Sequence, residues 1–253
     1  MRSGESRART WPGADAAKEL PYVSIVIPVY TEEGLMETAI RSLREQITES
    51  FDWPYELIIA ENGSTDATVP IARALSDKYP EVRTLSLAEP NYGRALKRAI
   101  LESRGTYVLC DEIDLCDVAF YRAALAKLEM GYELVVGSKL LQASDDKRPL
   151  FRHVASQIYS GMLRVLVGFQ GTDTHGLKAF HRDSLLDVVA DCRIERDVFA
   201  SELVIRAERR RLRITEIPLR VVEKRAPSVN LISRVPHVLK NLAKLTLAIR
   251  LGR

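Results

Sequence analysis

Thr106–Asp117 reads TYVLCDEIDLCD. A short apolar strand, Tyr107 to Leu109, runs straight into Asp111, Glu112, Asp114 and Asp117. Carboxylates crowded at a strand end repel one another, so the placement calls for a compensating charge. A divalent cation supplies one, since Mg2+ and Mn2+ prefer oxygen ligands and take only one or two protein carboxylates beside water and phosphate oxygens. The competing account is a solvated acidic turn, or Asp114 capping a helix that begins near Val118.

What flanks the stretch decides where the acids lie. Upstream, Tyr22–Val29 (YVSIVIPV) is an apolar, β-branched run ended by Pro28 and a polar turn, the pattern of a buried parallel strand. Glu37–Ser50 carries Ala39, Ile40, Leu43 and Ile47 at helical spacing. Glu56–Ala60 is a second strand, broken at Asn62-Gly63, after which Ser64 and Thr65 cap a helix through Ala72 and Leu75. Val82–Leu87 is a third strand, followed by a turn and helix in NYGRALKRAILESRG. Downstream come a helix over Ala119–Glu129 and a fifth strand, Glu133–Gly137. Alternation of this kind predicts an α/β domain with a doubly wound, mostly parallel sheet, whose ligands sit beyond the carboxyl ends of the strands. The quoted acids fall at that edge.

Beyond Gly137 the pattern is less regular. Lys139–Arg152 reads as a mobile polar loop, Val154–Gly168 as a helix and Leu177–Phe180 as a buried strand in a turn-rich setting. Phe199–Arg211 reads as a helix and Arg213–Val222 as a strand. The simplest division is a disordered leader over 1–20, one compact domain over 21–225 and a basic amphipathic helix over 226–253.

Bulk composition bounds the rest. The 253 residues carry a net charge of +3 and three cysteines, with neither a disulfide framework nor a CxxC pair, which fits a reducing, cytosolic compartment. The first twenty residues contain no hydrophobic run of the secretory kind, and no window approaches the length of an uninterrupted membrane span. From Arg220 onward Glu223 is the lone acid among Lys224, Arg225, Arg234, Lys240, Lys244 and further bases. An anionic partner follows from that bias. Nucleic acid is a poor fit, because no basic stripe interleaves with aromatics.

Two further turns bear on ligand binding. Glu61 ends the second strand and leads into NGSTDAT, which can place a carboxylate and a glycine turn against a nucleoside or simply cap a helix. Asn91-Tyr92-Gly93 opens a helix with Arg94, Lys97 and Arg98, a start suited to anions or to nothing more than a loop.

Taken in order, SIVIPVYTEEG, ELIIAENGSTDAT, NYGRALKRAI and GTYVLCDEIDL resemble the family 2 glycosyltransferases of the nucleotide-sugar-binding GT-A fold. VVGSKL, GTDTHGLKAFHRD and FASELVIRAERRRLRITEIPLRVVEKR are similar to segments of dolichyl-phosphate mannosyltransferases and related polyprenyl-phosphate sugar transferases. The resemblance spans Val23 to Arg225. It implies that Pro28, Tyr30 and Glu32 contact the nucleotide, with Thr31 standing where the family has Asn, and that Glu61 meets the base. It implies anion contacts near Gly93 and Lys97. Where relatives carry Asp-x-Asp, this chain has Asp111-Glu112-Ile113-Asp114. Asp111 aligns with the first acid, and either Glu112 or Asp114 takes the second role, so the catalytic and metal residues implied are Asp111, Asp114 and Glu112, holding Mg2+ or Mn2+. An inactive or metal-independent member is the alternative.

On the acceptor side the resemblance implies phosphate contacts from Lys139, Arg152 and Lys224 or Arg225. Asp173 and His175 fall in a turn that lines the acceptor and sugar region, with His175 either a sugar or phosphate contact or a packed turn residue. Glu202 is either a sugar contact or a packing residue. The implied reaction is an inverting single displacement that moves a hexose from a GDP- or UDP-sugar to a polyprenyl phosphate at the cytoplasmic membrane face. A soluble or glycan acceptor, or a nonenzymatic nucleotide-sugar-binding protein, are the competing functions. Val235, Val238, Leu239, Leu242, Leu245 and Ile249 recur at helical spacing among bases. Such a helix lies in a bilayer interface, or docks on the protein's own body or a second subunit. Oligomeric state and the identity of the sugar are not written in the sequence.

Overall fold

A computed structural model of the chain describes residues 20–141, 150–219 and 231–251, with side chains omitted over 150–152 and 231–235. The expected leader, Lys224 and Arg225 lie outside the described residues, as does most of the polar loop after Lys139; of Arg152 only the backbone is described.

Seven strands form one sheet in the order β3-β2-β1-β4-β6-β5-β7. They are β1 (Val23–Val29), β2 (Tyr55–Asn62), β3 (Val82–Leu87), β4 (Tyr107–Cys110), β5 (Leu134–Ser138), β6 (Lys178–His181) and β7 (Ile214–Pro218). All neighbours pair in parallel except β6, which runs antiparallel between β4 and β5. The helices are α1 (Met36–Ser50), α2 (Thr68–Lys78), α3 (Tyr92–Leu101), α4 (Val118–Glu129), α5 (Leu150–Val167), α6 (Arg182–Asp191), α7 (Phe199–Arg209) and α8 (Leu231–Leu251).

The strands read as unbroken apolar runs because helices cover both faces of the sheet. On one face α1, α2 and α4 pack over Ile25, Ile27, Leu57, Ile59, Leu109 and Val135. On the other, α3, α5, α6, α7 and α8 pack over Val26, Ile58, Val108, Val136 and Phe180. Alternation along β1 sends Ile25 and Ile27 to the first face and Val26 to the second. α1 buries Met36, Ile40, Leu43 and Ile47, a single stripe at the helical repeat.

Several boundaries differ from the sequence reading for local reasons. α5 begins at Leu150, inside the segment read as loop. α6 was not anticipated: it starts at Arg182, directly on the end of β6, with no turn residue or side-chain cap to announce it. The cap of α4 is Asp117, whose carboxylate accepts the Phe120 N–H at 3.0 Å, and not Asp114.

α8 settles against the body. Leu242, Leu245 and Ile249 are buried in the α5–α7 core, Arg206 and Arg209 donate to the carbonyls of Ala248 and Ile249, and Arg250 donates to Leu166 O. Much of the apolar stripe is therefore spent on the protein itself. Leu239 stays outside it.

Candidate active site

Because β1, β2, β4 and β5 run in parallel, their carboxyl ends share one edge, and β6 contributes its first residues to the same edge. Three clusters of side chains gather there.

The first joins the turns after β1 and β2. Thr31 N–H donates to Ser64 Oγ at 3.0 Å, Glu32 N–H to Thr68 Oγ1 at 2.8 Å and Glu33 N–H to Asp66 Oδ2 at 3.2 Å. Asp66 also accepts from Thr68 N–H, so it works as a structural cap. Pro28 is half-buried, while Tyr30 is 47% exposed at the mouth of this turn. Thr31 adopts φ +55°, a left-handed conformation that strains a β-branched residue and that Asn accepts more readily. Glu61 is buried, and its carboxylate accepts Ser64 N–H at 2.5 Å and Ser86 Oγ–H at 2.6 Å. Its present partners shape the NGSTDAT turn.

The second cluster is the start of α3. Asn62 Oδ1 accepts the Asn91 N–H, and Asn91 Oδ1 in turn accepts the Arg94 N–H, so the β2 turn and the helix start are tied together. Gly93 is required by packing, because a Cβ there would stand 2.5 Å from Glu195 O. Lys97 is drawn away from the edge: its Nζ donates to Ala190 O at 3.0 Å and Cys192 O at 2.6 Å, closing the C-terminus of α6.

The third cluster surrounds the quoted acids. Asp111 is 2% exposed. Its Oδ1 accepts Glu112 N–H at 2.6 Å, and its Oδ2 accepts Asp117 N–H at 3.0 Å and Tyr121 Oη–H at 2.5 Å. Burial pushes its pKa up to about 7, against these three donors, with the charge of Glu112 adding to the rise. The expected first metal ligand thus has both oxygens turned into the fold, holding the acidic turn against α4. Ile113 is buried at the centre of the turn. Glu112 and Asp114 are half-buried, and among the described residues neither carboxylate makes a hydrogen bond.

Across β6 lies the turn from Gly171 to Gly176. Asp173 accepts the Lys139 N–H at 3.2 Å and the His175 N–H at 2.8 Å, fixing the end of β5 to this turn. His175 is exposed, its ring set edge-on to Tyr159 at 5.0 Å. Thr174 Oγ1 meets Ser201 Oγ at 2.8 Å, and Ser160 Oγ–H donates to Thr172 O, so α5 and α7 both hold the turn. Glu202 is buried; it accepts the Arg193 and Ile194 amides and the Arg206 guanidinium, which makes it a packing residue. Among the expected positions, Glu112, Asp114, Lys139 and His175 flank the ends of β4 and β5.

Lys178 was missed. It opens β6, opposite Cys110 of β4, and is 4% exposed. The signal was present: a lone charge inside the apolar run Leu177–Phe180. Burial pushes the Cys110 thiol up to about 12 and that of Cys192 likewise, so neither is a thiolate nucleophile near neutral pH.

A dication can be tested against this donor set. Among the described residues no group of three or more His, Cys, Asp and Glu is placed to hold a metal ion. With Asp111 committed to the fold, Glu112 and Asp114 remain. One or two carboxylates suffice for Mg2+ when substrate phosphates complete its shell, so the residues fit an ion shared with substrate and not an all-protein cage.

Comparison with known proteins agrees with the architecture. Glycosyltransferase AglD of Haloferax volcanii is 28% identical over 242 residues, covering 91% of this chain, which spans only 38% of that protein's length. The dolichyl-phosphate beta-glucosyltransferase of Dictyostelium discoideum is 26% identical over 247 residues, covering 91% of this chain and 76% of that protein. The crystal structure of Mycobacterium tuberculosis glucosyl-3-phosphoglycerate synthase in complex with Mn2+, UDP-glucose and glycerol 3-phosphate superposes with a TM-score of 0.62 at 20% identity. That superposition covers 96% of this chain and 86% of the synthase, and shows a shared GT-A fold. The model of glycosyl transferase family 2 matches residues 24–188, from the first strand into α6, and the chain belongs to that family.

Proposed function

We propose that this protein is an inverting glycosyltransferase that moves a hexose from a nucleoside-diphosphate sugar to a polyprenyl phosphate at a membrane face. Its family and the names of its relatives support sugar transfer. The observation that carries the lipid-borne acceptor is the position of α5. Its inner residues Tyr159 and Ser160 hold the 172–176 turn, while Val154, Ile158 and Val165 on the same helix are exposed, Val165 at 83%. The adjoining α8 exposes Leu239, Leu247 and Leu251. Neither helix contains an acidic residue, and Arg164, Lys240, Lys244 and Arg250 lie along them. Exposed apolar side chains among bases suit an anionic lipid surface. Among the described residues no helix is long and apolar enough to cross a membrane. Peripheral contact at the cytoplasmic leaflet reconciles these features, and the absence of a disulfide among the three cysteines fits a reducing compartment.

In this mechanism the nucleotide lies over the first two clusters, between Tyr30, Glu32 and the Glu61 turn, with the diphosphate reaching the end of β4. A bound Mg2+ or Mn2+ would supply charge neutralisation at the leaving diphosphate. Glu112 and Asp114 would hold it. Lys139, Arg152 and Lys224 or Arg225 would orient the acceptor phosphate. An acceptor phosphate is already anionic at neutral pH, so its oxygen attacks the anomeric carbon without a general base. A sugar or protein hydroxyl would need one, and His175, packed against Tyr159 and Thr174 with its pKa pushed down to about 4 by desolvation, is a weak base for that task. Orientation and charge stabilisation then supply most of the rate.

The test is incubation of the purified protein with UDP- and GDP-hexoses, with and without Mn2+, in the presence or absence of farnesyl phosphate in detergent. Formation of a glycosyl phospholipid of inverted anomeric configuration supports the proposal. Consumption of donor that is indifferent to farnesyl phosphate is hydrolysis by water and counts against the lipid acceptor, and turnover that instead requires an added soluble hydroxyl or phosphate acceptor points to a soluble acceptor.

A further inference from the structure

Lys178 stands out among the buried ionisable groups at the site edge. It is 4% exposed. Among the described residues its Nζ donates one hydrogen bond, to Gly176 O at 2.8 Å, and no carboxylate lies within ion-pair distance. An ammonium carries three donors. Burying one with a single carbonyl partner is costly, and the usual compensation is a partner anion. Cys110, Asp173 and Glu112 favour its charged form, with the Lys139 cation opposing them. Asp173 is itself occupied by the Lys139 and His175 amides. Burial accordingly lowers the pKa of Lys178.

The backbone around it is built to a close tolerance. β6 is inserted antiparallel between β4 and β5, so its first residue stands opposite Cys110 at the carboxyl end of β4 and opposite Val136, two residues before the end of β5. Gly176 packs so tightly on β5 that a Cβ would lie 1.6 Å from Gly137 O. The carbonyl that holds Nζ is therefore fixed by the sheet.

We infer that Lys178 is a phosphate-binding residue of the site: a fixed cation at the junction of β4, β5 and β6 whose missing partner is a phosphoryl oxygen of substrate. This rests on the proposed transfer reaction for the identity of the phosphate, which belongs either to the leaving nucleoside diphosphate or to the acceptor. As a point charge on a flexible stem, a lysine can follow a phosphoryl group without fixing its orientation. A cation here complements Glu112 and Asp114, which would act on the same phosphates through a shared metal ion.

The experiment measures binding of UDP, GDP, inorganic pyrophosphate, uridine, guanosine and farnesyl phosphate to wild type, Lys178→Met and Lys178→Gln, alongside melting temperatures and donor turnover. The expected result is a loss of about tenfold or more in affinity for phosphate-bearing probes, as for a lost charge-assisted hydrogen bond. Nucleosides should bind all three proteins alike. Loss confined to UDP, GDP and pyrophosphate assigns the donor diphosphate; loss confined to farnesyl phosphate assigns the acceptor. Removing an uncompensated buried charge should leave the ligand-free melting temperature equal to or above that of wild type, whereas a lysine that only supports the fold would leave it lower. Unchanged affinities in a folded variant overturn the inference, as does a wild type that binds none of the phosphate probes. Lys178-dependent binding without turnover of any nucleotide sugar upholds this site and overturns the proposed reaction instead.

Discussion

Tyr121 Oη donates a 2.5 Å hydrogen bond to Asp111 Oδ2, and this contact ties the acidic turn after β4 to the helix that follows it. Asp111 begins the turn and Tyr121 is fully buried on α4. Burial and the neighbouring carboxylate also raise the Tyr121 hydroxyl far above its usual range, so it remains a donor throughout the accessible pH range. Replacing Tyr121 with Phe leaves Asp111 short of one donor in a closed site. The expected cost is about 1–3 kcal/mol of stability, read as a lower urea midpoint with unchanged slope. A variant as stable as wild type would contradict the structural role given to this pair.

The same carboxyl makes stability depend on pH in an uncommon direction. Asp111 titrates near 7 in the folded state and near 3.9 in an unfolded chain. Between those values the folded protein retains a proton that the unfolded one releases. Its contribution is therefore most favourable below about pH 4 and declines as pH rises to about 7. The full span is on the order of 4 kcal/mol. In metal-free buffer, the stability difference between wild type and Asp111→Asn should move against wild type across that window. A difference that stays flat would show that Asp111 is ionised throughout.

Thr31 offers a gain of stability. Its φ of +55° is held by the bond from its N–H to Ser64 Oγ, and the conformation costs a β-branched residue roughly 1–2 kcal/mol. Thr31→Asn should stabilise the protein by about 1 kcal/mol, measured as a higher melting temperature. Loss of stability would mean that the threonine side chain makes a compensating contact.

Division of labour among the acids gives a prediction with metal. Glu112→Gln and Asp114→Asn should keep the fold and abolish most of the Mn2+-dependent rise in melting temperature seen with a nucleotide diphosphate, since ligands stabilise the state they bind. An undiminished rise in both variants would remove the metal from this turn.

At the membrane, Val165→Asp and Leu247→Asp should weaken sedimentation with vesicles containing anionic lipid. Both positions are exposed, so neither change should disturb packing. Added salt should weaken binding of the wild type, because the bases of α5 and α8 contribute through screened charge. Binding that neither substitution nor salt reduces would place the contact elsewhere.

Legibility of these features in the sequence followed their range. Buried strands such as Val23–Val29 and the stripe Ile40, Leu43 and Ile47 are local patterns, and they were readable with boundaries off by a residue or two, Met36 falling just outside the helix as read. The antiparallel insertion of β6 was not, because strand direction depends on connections made through α5 and the 171–176 turn. The expected site positions divide in the same way. Glu112, Asp114 and Lys139 were named from motif position, and the structure places them at the ends of β4 and β5. The engagement of Asp111 by Tyr121, ten residues along, depends on how α4 packs, and the diversion of Lys97 to the end of α6 involves residues more than ninety positions away. Lys178 was hidden by its strand: an apolar run was recognised, and the charge inside it was read past.

Sugar transfer to a lipid phosphate is tested most directly by mass spectrometry of the lipid fraction after incubation with nucleotide sugars and farnesyl phosphate. A product heavier than farnesyl phosphate by one hexose residue, formed by wild type and strongly reduced in Glu112→Gln, is the predicted result. If donor is consumed while the lipid remains unglycosylated across all nucleotide sugars supplied, the polyprenyl-phosphate acceptor is contradicted.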